Sequence, residues 1–118
     1  MKAKEIINLA TEVAREKKAE DIVALDMREL SSIADYFFFC SAENTRQVKA
    51  IVEAISDRLK KGGRAVKRTE GLPELRWVVM DCGDVLLHIF LAEAREFYSL
   101  ESLWGDAPRI AAPAIKPI

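Results

Sequence analysis

Residues 76–91 carry the most restrictive pattern in the chain. Two runs of strand-forming residues, Arg76-Trp77-Val78-Val79-Met80-Asp81 and Asp84-Val85-Leu86-Leu87-His88-Ile89-Phe90-Leu91, flank Cys82-Gly83. A break of that length containing glycine suits a tight two-residue hairpin. Centred there, the hairpin opposes Asp81 to Asp84, Met80 to Val85, Val79 to Leu86, Val78 to Leu87 and Trp77 to His88. Because successive strand side chains point to opposite faces, Val78, Met80, Val85, Leu87 and Ile89 form an aliphatic face suited to receive helices. The other face presents Trp77, Val79, Asp81, Asp84, Leu86, His88 and Phe90, and nothing evident in the sequence covers it. Apolar and aromatic side chains grouped on a surface mark a binding site.

The rest of the chain supplies the helices and further strands. In residues 3–18 Ile6, Ile7, Ala10, Val13 and Ala14 recur at helical spacing, with charged residues between them. Residues 21–27 and 36–40 read as strands, the second an aromatic run, Tyr36-Phe37-Phe38-Phe39-Cys40. Asn44 followed three positions later by Gln47 is a capping-box pattern. It opens a helix whose apolar face is Val48, Ile51, Val52, Ile55 and Leu59 and which Gly62-Gly63 ends. A weak strand over 65–69 and a break at Gly71-Leu72-Pro73 precede the hairpin, and a helix over 92–103 follows it, with Phe97, Leu100 and Leu103 or Trp104 facing inward. The order α-β-β-α-β-β-β-α predicts an α/β two-layer sandwich, a mixed β-sheet with helices on one face. With 118 residues, one domain over 1–104 is expected, followed by a Pro-rich tail over 105–118 whose three prolines prevent a single helix or central strand.

Composition narrows the functional classes. Eighteen Lys+Arg against nineteen Asp+Glu leave a net charge of -1, without the basic excess that phosphate-dominated binding demands, so little direct nucleic-acid binding is expected. No apolar run approaches the roughly twenty residues that span a bilayer. With no apolar signal core at the start, the reading is of a cytoplasmic protein. Cys40 and Cys82 stand singly, without metal-ligand spacing, as small core residues.

Directly opposed, Asp81 and Asp84 would repel by about 0.2–1 kcal/mol unless neutralised, and a basic partner would do this. The structural alternative is that both carboxylates cap the turn by accepting backbone N–H groups. Two carboxylates are too few ligands for a divalent metal. His88, the only histidine, has no recognisable Ser or Cys nucleophile around it to activate and reads as a packing residue if not a contact residue. Ser41-Ala42-Glu43-Asn44-Thr45, lacking glycine, is a helix cap rather than a phosphate cradle.

Ser31-Ser32-Ile33-Ala34-Asp35-Tyr36-Phe37, Thr45-Arg46-Gln47-Val48, the whole of Trp77 to Phe90, Arg95-Glu96-Phe97-Tyr98 and Leu100-Glu101-Ser102-Leu103-Trp104 together resemble the ribosomal silencing factor, or Iojap-like, family. The resemblance covers nearly everything before the tail. It implies a nucleotidyltransferase-like fold without catalytic activity and without a cofactor. It also implies binding to ribosomal protein fourteen of the large ribosomal subunit, which sterically blocks joining of the small subunit and represses translation when nutrients are scarce. Ser41-Ala42 stands where nucleotidyltransferases carry a Gly-Ser turn, no paired-carboxylate strand follows, and Ala42 departs from the Gly usual in the silencing family. The partner-binding residues expected from both readings are Trp77, Val79, Asp81, Asp84, Leu86 and His88, with Tyr36 if the second strand lies beside the hairpin and Glu70 in the loop entering it. An open apolar face would also favour a homodimer of the free protein. Without the resemblance, the same face reads as a module for another basic partner; the remaining alternative, a residual nucleotidyltransferase, would need metal-dependent nucleotide binding for which the sequence lacks the ligands.

Overall fold

The computed structural model describes residues 1–98, with the side chains of 96–98 not described. The expected helical positions Leu100, Leu103 and Trp104, the side chain of Phe97 and the Pro-rich tail therefore lie outside the described residues. The elements follow in the expected order: α1 (Ala3–Glu16), β1 (Glu20–Asp26), β2 (Tyr36–Ala42), α2 (Thr45–Lys61), β3 (Arg68–Glu70), β4 (Trp77–Asp81), β5 (Val85–Leu91) and α3 (Ala92–Tyr98). The five strands form one mixed sheet in the order β1-β2-β5-β4-β3, parallel between β2 and β5 and antiparallel elsewhere.

The two long helices cover one face, as their apolar stripes require. Ile6, Ile7, Ala10, Val13 and Ala14 of α1 and Val48, Ile51, Val52, Ile55 and Leu59 of α2 pack on Phe38, Cys40, Val78, Met80, Val85, Leu87 and Ile89. The start of α2 is built by the Asn44–Gln47 pair. Asn44 Oδ1 accepts the Gln47 N–H at 2.8 Å, and Gln47 Oε1 accepts the Glu43 N–H at 2.8 Å. The amide of Gln47 also donates to the carbonyls of Lys17 and Lys18, tying α2 to the end of α1.

The hairpin register differs from the one read in the sequence. Asp81 lies opposite Leu86, Val79 opposite His88 and Trp77 opposite Phe90. The Cys82 N–H donates to the Val85 carbonyl at 2.9 Å, which leaves Gly83-Asp84 as the turn in place of Cys82-Gly83. The reason is conformational. Both tight hairpin turns require a positive φ at the first central position, and Gly83 supplies it at φ 89. A Cys82-Gly83 loop would have forced that conformation on a cysteine. The displacement is two residues, so every side chain keeps its face.

A second glycine fixes how β4 begins. Gly71 has φ +90, and a Cβ there would lie 2.0 Å from the Trp77 carbonyl oxygen, whereas Gly63, at φ +82, has open space around it. Gly63→Ala should show only the backbone cost, about 1–3 kcal/mol. Gly71→Ala adds a collision with the strand that carries Trp77. Urea unfolding of the two variants should place Gly71→Ala at the lower midpoint.

Candidate functional site

The second face of the sheet is an aromatic layer, and three strands build it. The parallel register sets Phe37 beside Leu86, Phe39 beside His88 and Ser41 beside Phe90. The antiparallel register adds Trp77, Val79 and Asp81 from β4, and Glu70 and Arg68 from β3, opposite Val79 and Asp81 respectively. His88 sits at the centre. Its ring stacks on Phe39 at 4.9 Å and 25°, lies 5.2 Å from Phe37 and 6.2 Å from Phe90, and faces Trp77 at 6.1 Å. Trp77 in turn stacks on Phe90 at 5.4 Å. The Trp77 Nε1–H donates to His88 Nδ1 at 3.1 Å.

This layer is far less open than the sequence suggested. Phe39, Phe90 and Phe37 are buried and His88 is 5% exposed. Part of the cover is α3, which packs on β5 and β2 on this side of the sheet. Arg95 of α3 donates to the Ser41 hydroxyl at 2.8 Å and to the Asp21 carbonyl at 2.6 Å, and its guanidinium lies 5.9 Å from the Phe39 ring centre. Met27 and Ala34, in the connection between β1 and β2, close another edge. This burial leaves a smaller apolar face than the one expected to favour a homodimer of the free protein. What stays half-buried is a strip along the hairpin formed by Trp77, Val79, Asp81 and Leu86, with exposed Arg68 and Glu70 beside it.

The two carboxylates do not oppose each other. Asp81 Oδ1 accepts the Gly83 N–H at 2.8 Å, so the capping alternative describes Asp81. Asp84 belongs to the turn and pairs within the chain: Arg64 Nη2 reaches Asp84 Oδ1 at 2.7 Å and the Cys82 carbonyl at 2.6 Å. The cation that neutralises Asp84 is thus Arg64 of the same chain, not a partner's. Glu70 is exposed, with Arg68 at 3.5 Å. Tyr36 requires a correction. Strand β2 does lie beside the hairpin, but Tyr36 is level with Val85 and packs in the helix-side core, with the Arg28 guanidinium 5.5 Å from its ring centre. Phe37 and Phe39 occupy the face assigned to it. Alternation grouped these two phenylalanines, but the register of β2 on β5, which begins where the Asp35 and Tyr36 N–H groups bond to the Asp84 carbonyl, places them on this face.

Groups associated with chemistry are otherwise engaged in structure. Ser41 is buried against Arg95. Burial pushes the Cys40 thiol up to about 12 and the Cys82 thiol up to about 11, so neither is a thiolate near neutral pH. Among the described residues no group of three or more His, Cys, Asp or Glu is placed to hold a metal ion, and no helix is long and apolar enough to cross a membrane.

Desolvation lowers the His88 pKa from 6.5 to about 4. The folded protein therefore binds this proton less readily than the unfolded chain. The stability present above pH 6.5 should be lost progressively as the pH falls from about 6.5 to about 4, by roughly 3 kcal/mol. His88→Phe should flatten this interval in urea titrations of stability against pH. Acid loss remaining in that variant belongs to carboxylates such as Asp26, whose pKa Arg28 holds down.

Comparisons with known proteins agree on one relationship. The family model described as "Ribosomal silencing factor during starvation" matches residues 1–117. A protein of Bacillus subtilis named ribosomal silencing factor is 46% identical over 108 residues, 92% of each chain. A mouse protein named mitochondrial assembly of ribosomal large subunit protein 1 is 30% identical over 86% of this chain and 46% of its own. A crystal structure from Chromobacterium violaceum superimposes with a TM-score of 0.85 at 36% identity, covering 99% of this chain and 98% of that one.

Proposed function

Since the chain belongs to the ribosomal silencing factor family, we propose that it binds ribosomal protein fourteen of the large ribosomal subunit in the cytoplasm and, while bound, keeps the small subunit from joining. It acts by occupancy rather than catalysis. The observation that carries the proposal is the half-buried strip of Trp77, Val79, Leu86 and Asp81, laid on a buried aromatic layer. Such a strip has the anatomy of an interface centre, with an aromatic anchor and aliphatic neighbours on a rigid support and charges at the rim.

Each expected contact residue has a role set by its surroundings. Trp77 is the anchor, and Val79 and Leu86 supply the apolar surface that a partner desolvates. Asp81 retains acceptor capacity beyond the single bond to Gly83, since a carboxylate accepts several. Glu70 is the exposed acidic residue at the edge. Both suit a basic partner and favour fast, oriented encounter. Asp84, paired with Arg64, contributes through the shape of the turn. Tyr36, on the helix side of the sheet, is withdrawn from the surface.

Trp77→Ala should weaken binding to purified large subunits by about 2 kcal/mol or more, as loss of an aromatic anchor does. Asp81→Lys should weaken it by reversing a rim charge in a protein that still melts cooperatively. Wild-type affinity in both folded variants, measured by pelleting with large subunits, would sink the assignment of this surface.

A further inference from the structure

His88 is a costly residue for the place it occupies. Because Nδ1 accepts the Trp77 Nε1–H, the single proton of the neutral ring sits on Nε2. That Nε2 is buried and has no hydrogen-bond partner among the described residues. A phenylalanine or leucine in the same aromatic layer would fill the space without leaving a buried donor unsatisfied. What an imidazole supplies, and those side chains cannot, is the Nδ1 acceptor aimed at the Trp77 indole. His88 itself offers a partner almost no surface, whereas Trp77 is only half-buried.

We propose that His88 is the positioning residue of the docking surface: it acts on the partner only through Trp77, whose indole it locks into the orientation that the partner meets. This rests on Trp77 being the anchor. The lock includes the 3.1 Å hydrogen bond to the indole nitrogen and the stack of Trp77 on Phe90, with His88 held from behind by Phe39 at 4.9 Å. An indole fixed before binding loses no rotamer freedom on contact, which is worth about two- to tenfold in affinity for a single side chain.

A double-mutant cycle on the full-length chain tests it, with affinity for purified large subunits as the readout. His88→Phe keeps a ring in the stack but removes the acceptor, and should weaken binding by about two- to tenfold. In a Trp77→Phe background, which has no donor, the same change should have no further effect. His88→Gln, which restores an acceptor, should recover most of the affinity. A second measurement needs no His88 variant: by NMR, the Trp77 indole N–H of the unmodified protein should exchange slowly with solvent. If His88→Phe binds like wild type while Trp77→Ala does not, the positioning role is overturned and the surface stands. The same role is overturned if the His88→Phe loss persists undiminished in the Trp77→Phe background, or if the indole N–H exchanges as fast as an exposed one. If Trp77→Ala binds like wild type, the surface itself is misassigned and the positioning role goes with it.

Discussion

The parallel pairing of β2 with β5 holds the structure together. It joins the β1–β2 hairpin to the β4–β5 hairpin at the middle of the sheet, and every residue of β2 is buried. The pairing sets both layers at once. On one side it aligns Phe38 with Leu87 and Cys40 with Ile89 beneath α1 and α2, and on the other it brings Phe39 against His88 and Phe37 beside Leu86. A one-residue slip of β2 along β5 would turn Phe37 and Phe39 toward the helices and Phe38 and Cys40 to the opposite face, breaking both layers at their middle strand.

Much of this was legible from local pattern. The stripes of α1 and α2, the Asn44–Gln47 cap and the faces of the hairpin follow from period and residue type, and the structure retains them. The hairpin register was misread because alternation cannot tell a register from one displaced by two. The glycine rule could have decided it, since Gly83 belongs at the first central position of the turn. The side taken by Tyr36 is not available locally, because the pairing of β2 with β5, far along the chain, sets it. Burial of the second face was missed for a similar reason. The Arg95 contacts to Ser41 and Asp21 join residues distant in sequence, and no periodicity announces them.

These differences change how the site is understood. The sequence suggested two unbalanced acids and an open aromatic sheet. In the structure Arg64 balances Asp84, Asp81 closes the turn, and the aromatics form a second small core with a half-buried strip along it. Trp77 stacks on Phe90 and donates to His88, and its backbone carbonyl passes close to Gly71, so contacts run from its main chain to its indole. A partner would meet a preformed surface, and little of the binding energy would go into ordering it.

As proposed, the protein's occupancy of the large subunit prevents the small subunit from joining. The most direct measurement is sucrose-gradient sedimentation of purified large and small subunits, with the protein added to the large subunits first. The protein should comigrate with large subunits and deplete joined ribosomes in proportion to its occupancy. Joined ribosomes forming in full while the protein remains bound, or the protein staying at the top of the gradient, would contradict it.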